Sequence, residues 1–251
     1  MLNRTKPQEA IAYHFENAKT WLKESRDATT MRNVLAVNRT DSNHLRGMDS
    51  ILIPNDGRAD IAFYLPFPLQ LPAADSIDKV LLFSYPAQAF AAYENGELVY
   101  TGPTSMGRKS DLTPAGLYFT NWKAEKTTST FDDEWELKWN FNIENNEGIG
   151  FHQYELPGYP ASHSCLRLQE ADARYLYTWA DQWVLDHDTV QIKGTPVIVF
   201  GNYDFSTPKP WLQLPALPHA LDIPESAIEQ ILAPYLKTIL DEQQKRVAAA
   251  I

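Results

Sequence analysis

The sequence predicts a mostly β, α+β fold, and three observations carry that expectation. Apolar segments of strand length recur between residue 79 and about residue 203. Turn chemistry separates them, most clearly at Asn95-Gly96. Helical spacing is confined to the two ends of the chain and to one stretch after Leu168. With 251 residues and 44% hydrophobic content, the chain is long enough for one large domain or a main domain with an appendage.

In chain order, Ile11, Phe15, Ala18, Trp21 and Leu22 lie at helical spacing and predict an amphipathic helix over 7–26. "MRNVLAVNRTDSNHLRGMDSILIP" then reads as a short helix, an Asn-containing turn, an "LRGM" turn and a small strand, so 1–54 is a helical N-terminal region. This order resembles the second half of a LysM module, without that module's first strand and helix. Residues 55–78 are a Pro-rich connection, and 79–204 are the main domain. Its strand candidates include "KVLLFSY", "AFAAYENGELVYTG", "GLYFTNWKA", "KWNFNI", "GIGFHQY", "DTVQIKG" and "TPVIVFG", with one helix, "QEADARYLYTWADQWVL". Residues 205–251 give a Pro-dense wrap and a terminal helix over 224–246 that Pro234 should kink.

The 22 Lys+Arg stand against 32 Asp+Glu, a formal net charge of -10 whose field repels polyphosphates, so nucleic acid is not an expected partner. "KVLLFSYPAQAFAAY" and "TPVIVFG" are too short or too interrupted to cross a bilayer. The first residues lack the apolar core and cleavage site of a secretory signal, which predicts a cytosolic protein or a mature form whose signal Met1 replaces. The acidic run "FDDEWE" reads as a solvated loop.

The chemistry concentrates in "HQYELPGYPASHSCLRL", His152 to Leu168, which holds the only cysteine. Cys165 has no partner for an intrachain disulfide and is either a small buried hydrophobe or a reactive thiol. A cation, a histidine or a helix N-terminus lowers a thiol pKa. His163, Arg167 and the helix after Leu168 offer all three, and in an extended segment residues 163, 165 and 167 share one face. The turn-rich "ELPGYPA" can return His152 to the thiol, and the N–H groups of Ser164 and Cys165 at a sharp turn can receive an oxyanion. The other reading of such a cluster is zinc, but the spacing lacks Cys-x2-Cys or His-x3-His.

With its upstream "GFH", the string "GYPASHSCLRL" resembles the signature of the L,D-transpeptidase family, the YkuD-type domain: a His, then [Ser/Thr]-His-Gly-Cys, an apolar residue, and Arg or Asn. "LVYTGPTSMGRKSDLTPAGLYFTNWKAE" is similar to the same family's strand, Ser/Thr-x-Gly turn, TP-x-G turn and second strand. The resemblance spans 79–202 and implies a YkuD-like β-sandwich with one helix beside the active-site Cys.

By that resemblance Cys165 is the nucleophile, His152 the general base and His163 a site-lining residue, with Ser164 and Cys165 N–H as the oxyanion donors. Ser162 fixes the turn, and Arg167 braces the loop or meets a substrate carboxylate. Apart from the resemblance, Tyr154 and Trp122 lie close in sequence to the motif segments and read as aromatics lining a groove for glycan or peptide. No cofactor and no metal are implied. The implied activity is acyl transfer on peptidoglycan tetrapeptide stems through a thioester, releasing D-alanine and forming 3-3 cross-links, with carbapenems acylating the thiol. Water as acceptor would make it an L,D-carboxypeptidase or endopeptidase, and a disabled site would leave a cell-wall-binding protein. The implied partners are stem peptides, and glycan strands through the N-terminal region. The implied location is the periplasm or wall for a mature form, ahead of the cytoplasm. One position departs: Ser164 stands where the family has Gly, which imposes strain if that residue needs a positive φ.

Overall fold

The computed structural model describes residues 6–7, 9–24, 26–58, 60–128 and 136–249. Residues 131–135 of the acidic run lie outside them. Strands β3 (Val80–Ser84), β4 (Ala89–Glu94), β5 (Glu97–Pro103), β6 (Gly116–Phe119) and β13 (Pro196–Phe200) form a five-stranded sheet in the order β5-β4-β3-β13-β6. β13 runs parallel to β3 and antiparallel to β6. A second sheet, β10-β9-β8-β7, is built from β7 (Lys123–Thr128), β8 (Glu136–Glu144), β9 (Ile149–Gln153) and β10 (Leu166–Leu168).

Alternation along the strands produces two cores. Leu81, Phe83, Phe90, Val197 and Val199 pack against Phe141, Ile149, Phe151, Leu166 and Leu168 of the second sheet, with Ala173 and Leu176 of α4 (Glu170–Trp179). On the other face of the five-stranded sheet, Val80, Leu82, Ala91, Tyr93 and Ile198 are covered by Leu65, Phe67 and Leu71 of the Pro-rich connection and by Ile228, Leu232 and Ile239 near the C-terminus. The sheet is thus buried on both faces, and the catalytic-domain candidate is a mostly β sandwich with helices added.

The Asn95-Gly96 turn joins β4 to β5 with both residues at positive φ, +46° and +75°. Pro234 separates α5 (Glu225–Leu232) from α6 (Leu236–Ala249). Three expectations need correction. The helix over 7–26 is instead β1 (Tyr13–Asn17) followed by the single turn α1 (Ala18–Trp21). The aromatic run Tyr13-His14-Phe15 favours a strand, Tyr13 to Asn17 pair antiparallel with β2 (Ser50–Pro54), and the Asn17 side chain caps α1. The segment "GLYFTNWKA" is not one strand, because the chain changes sheets at residues 120–122, where Thr120 Oγ1 donates to Asp181 O at 2.6 Å. The helix after Leu168 stops at Trp179, since Val184–Asp186 (β11) pairs instead with Thr189–Ile192 (β12).

Between β1 and β2 lie α1, α2 (Ala28–Val37) and α3 (Ser42–Gly47), so this unit reads strand, helices, strand around Trp21, Val34, Leu45 and Ile51. One of its links to the main domain is Arg39, which is fully buried: Nε donates to Ala87 O at 2.7 Å, Nη1 donates to Ala36 O, and the guanidinium lies 5.5 Å over the Trp211 ring. Burial lowers its pKa to about 10, still above neutrality. No described helix is long and apolar enough to cross a membrane.

Candidate active site

The site grows from the only parallel pair in the second sheet. Leu166, Arg167 and Leu168 face Phe151, His152 and Gln153 in register. Leu166, Leu168 and Phe151 point into the core, so period-2 alternation sends Arg167 and His152 to the opposite face. Extending the register by one places Cys165 opposite Gly150. Gly150 is required by its other neighbour, since a Cβ there would come within 2.6 Å of Phe141 O on β8. The thiol points at the end of the β8–β9 turn, with Sγ 3.7 Å from Gly148 O.

His152 is 3% exposed, and its Nδ1 lies 3.0 Å from Gln153 O. Donation from Nδ1–H to that carbonyl leaves the lone pair on Nε2. Burial, with a smaller contribution from the Arg167 charge, pushes the His152 pKa down to about 4. Burial pushes the Cys165 thiol up, against the opposing effects of the Gly150 N–H and of Arg167. The pair therefore rests as neutral thiol and neutral imidazole. This reverses the lowered thiol pKa expected from the sequence. The helix N-terminus is displaced, because β10 intervenes and four extended residues carry Cys165 roughly 13 Å from the start of α4.

Ser164 has φ +73°. The bend breaks the extended run expected over 163–167, and His163 lies within electrostatic reach of Asp111. A left-handed non-Gly residue costs roughly 1–2 kcal/mol, and the surroundings hold it. Ser162 Oγ donates to Cys165 O across the turn. Thr113 Oγ1 donates to Ser164 O at 2.8 Å while accepting from Gly107 N–H at 3.0 Å. Ser162 N–H donates to Met106 O at 3.0 Å and Arg108 N–H to Ser162 O at 2.9 Å. Among the described residues, neither the Ser164 nor the Cys165 N–H is taken by a backbone carbonyl outside the strand ladders.

Arg167 lies 4.5 Å over the Tyr154 ring, and Tyr154 meets His152 edge-on with centroids 6.0 Å apart. Trp122 sits further out, its indole donating to Asn145 at 3.1 Å in the same β8–β9 turn that carries Gly148. No described cluster of His, Cys, Asp and Glu has the makings of a metal site.

A family model described as the L,D-transpeptidase catalytic domain, YkuD, matches residues 78–199. Those residues are similar to the YkuD catalytic domain over just under half of the chain. Among solved structures, an L,D-transpeptidase from Stackebrandtia nassauensis is 24% identical over 50% of this chain and 57% of its own, with a TM-score of 0.41. One from Mycobacterium tuberculosis H37Rv is 22% identical over 50% of this chain and 58% of its own, with a TM-score of 0.40. L,D-transpeptidase 3 from Mycobacterium tuberculosis, in complex with a faropenem-derived adduct, is 22% identical over 50% and 61%, with a TM-score of 0.38. The chain spans less than two thirds of the length of these structures. No curated protein matches it.

Within the YkuD-like domain, sequence reasoning missed the residues that hold the turn from behind. Thr113 belongs to the recognised TP-x-G segment, but its partner, Ser164 O, lies 51 residues away. Gln88, buried at φ +47°, accepts from Met106 N–H at 2.8 Å and gave no local signal. Outside the domain, Asp41 Oδ2 accepts from Leu156 N–H at 2.7 Å, and Thr40 Oγ1 donates to Leu156 O at 2.9 Å. The N-terminal unit thereby grips the loop that follows His152.

Proposed function

We propose that the protein is a cysteine acyltransferase acting on peptidoglycan tetrapeptide stems at the cell wall or in the periplasm. The observation that carries this reading is the placement of Cys165 and His152 on one face of adjoining parallel strands. Strand spacing and a two-residue advance put their Cα atoms roughly 8 Å apart. His152 Nε2 takes the thiol proton as sulfur attacks the carbonyl of the third stem residue. The oxyanion meets the Ser164 and Cys165 N–H groups, and the tetrahedral adduct expels D-alanine, whose amine takes the proton back from His152. An amine from a second stem then loses its proton to His152, attacks the thioester and returns the thiol. Because the resting pair is neutral, proton transfer accompanies attack and no preformed ion pair is needed.

In this reading Ser162 and Thr113 are positioning residues, and His163, Tyr154 and Trp122 line the cleft. Carbapenems would acylate the same thiol. A glycan-contacting role for the N-terminal unit, with its strand, helices and strand, belongs to the same reading. Water as acceptor is the second reading, favoured by the Ser164 side chain at the turn that presents the oxyanion donors.

Intact-protein mass after mixing with a disaccharide-tetrapeptide tests the proposal, with soluble products analysed in parallel and Cys165→Ala as control. A thioester adduct, free D-alanine and a dimeric muropeptide support transpeptidation. Tripeptide without dimer moves the assignment to carboxypeptidase. Neither adduct nor product overturns the enzyme reading in favour of wall binding.

A further inference from the structure

Lys209 lies outside the YkuD-like domain, in the Pro-dense wrap, yet its ammonium reaches the loop that feeds the catalytic turn. Nζ is 5.4 Å over the Tyr159 ring, and a Cβ added to Gly158 would come within 3.5 Å of it. Tyr159 is 49% exposed, and its carbonyl accepts from Ser105 Oγ at 2.7 Å. Ser105 in turn exchanges two backbone hydrogen bonds with Arg167, each 3.1 Å. One rigid segment therefore ties Tyr159 to Arg167, whose charge lies within electrostatic reach of Tyr159, Tyr154, Glu155 and Cys165.

Among the described residues, neither Lys209 nor the Arg167 guanidinium forms an ion pair or a side-chain hydrogen bond. Both are half-buried, and burial lowers both pKa values. Lys79 and Lys123 behave otherwise: Lys79 pairs with Asp181 at 3.1 Å, and Lys123 donates to Tyr177 O at 2.6 Å. In a chain of net charge -10, Lys209 has no carboxylate partner among the described residues and Arg167 has only the exposed Glu155 within electrostatic reach, so these two desolvated cations beside one exposed Tyr are matched by an anion from outside. The overall acidic field disfavours polyanions, which leaves a single carboxylate as the fitting chemistry.

We propose that Lys209 and Arg167, both within reach of Tyr159, form a carboxylate-binding site that receives the C-terminal carboxylate of the peptide substrate. This rests on the stem-peptide reading above and adds to it a specificity determinant from outside the catalytic domain. Lys209 acts on binding and does not touch the reacting carbonyl.

The test is calorimetric titration of the full-length Cys165→Ala protein with a stem tetrapeptide carrying a free or an amidated C-terminus, repeated with Lys209→Met and Lys209→Arg added. The free acid should bind roughly tenfold tighter than the amide, a preference that Lys209→Met removes and Lys209→Arg largely restores. Equal binding of acid and amide, an unchanged preference in Lys209→Met, or no binding of either peptide overturns the site. A clear acid preference, with no adduct and no D-alanine release from the protein with its native thiol, would instead sink the acyl-transfer reading and leave the carboxylate site standing.

Discussion

The turn at Asn95-Gly96 and the turn at Ser164 both place residues in the left-handed region, and they do so for different reasons. At Asn95-Gly96 the residues themselves favour positive φ, and the turn is the hairpin link between β4 and β5. At Ser164 the residue disfavours it. There the conformation is held by Ser162, Thr113 and the Met106–Arg108 segment, whose hydrogen bonds fix Ser162, the Cys165 carbonyl and the Ser164 carbonyl. The first turn is written in local propensity; the second is strain distributed over partners about 50 residues distant, at the point where the nucleophile is presented.

The sharpest way to break the contrast is Thr113→Val. The substitution keeps the shape but strands two groups, Gly107 N–H and Ser164 O, so about 2–4 kcal/mol of stability should be lost. Thermal melting should show Tm lower by roughly 5–12 °C, and acylation of Cys165 by a carbapenem should slow with it. A retained melting temperature would mean that the strain is held elsewhere.

Acid should act next most strongly, and only on the catalytic side. His152 in the folded protein stays neutral down to about pH 4, whereas unfolded it takes a proton below 6.5. Its contribution is therefore complete above 6.5 and declines as pH falls toward 4, by up to about 3 kcal/mol. Denaturant titrations at several pH values, comparing the native chain with His152→Gln, should show a smaller acid loss in the variant. Parallel curves would refute the buried neutral imidazole.

Gly96→Ala tests the propensity-driven turn. A Cβ there meets Asp75 Oδ1 at 2.3 Å and Leu71 O at 2.7 Å at a φ of +75°, which should cost about 1–2 kcal/mol while leaving carbapenem acylation unchanged. Smallest is Ser164→Gly. Relief of the left-handed strain, partly offset by the freer unfolded chain, should raise Tm by roughly 1–3 °C. Acylation faster than in the native chain would locate the Ser164 side chain in the path of the substrate, and a lower Tm would argue against strain at that turn.

The same contrast explains what the sequence disclosed. Period-2 alternation and the Asn-Gly pair announce β3, β4 and β5, and the short string around Cys165 announces the chemistry, because those signals are local. Thr113, Gln88 and Asp41 act across 51, 18 and 115 residues respectively, a separation that no window on one sequence senses. The lowered thiol pKa was misjudged for the same reason. Nearness in sequence suggested a helix N-terminus beside Cys165, while β10 carries that terminus away and burial raises the thiol pKa. At the N-terminus the helical spacing of Ile11, Phe15 and Ala18 was real, but pairing with Ser50–Pro54 outweighed it.

Arg39 carries one more consequence. Its charge is tolerated in the interior only while the end of α2, the turn at Ala87 and Trp211 of the wrap close around it together. None of the three can open alone without wetting or stranding a cation, so N-terminal unit, sheet and wrap should unfold as one cooperative block. Native-state hydrogen exchange should find the amides of α2 and of the Trp211 segment opening with the same free energy as β3, and removal of the chain after residue 204 should loosen the N-terminal unit as much as the sheet it covers.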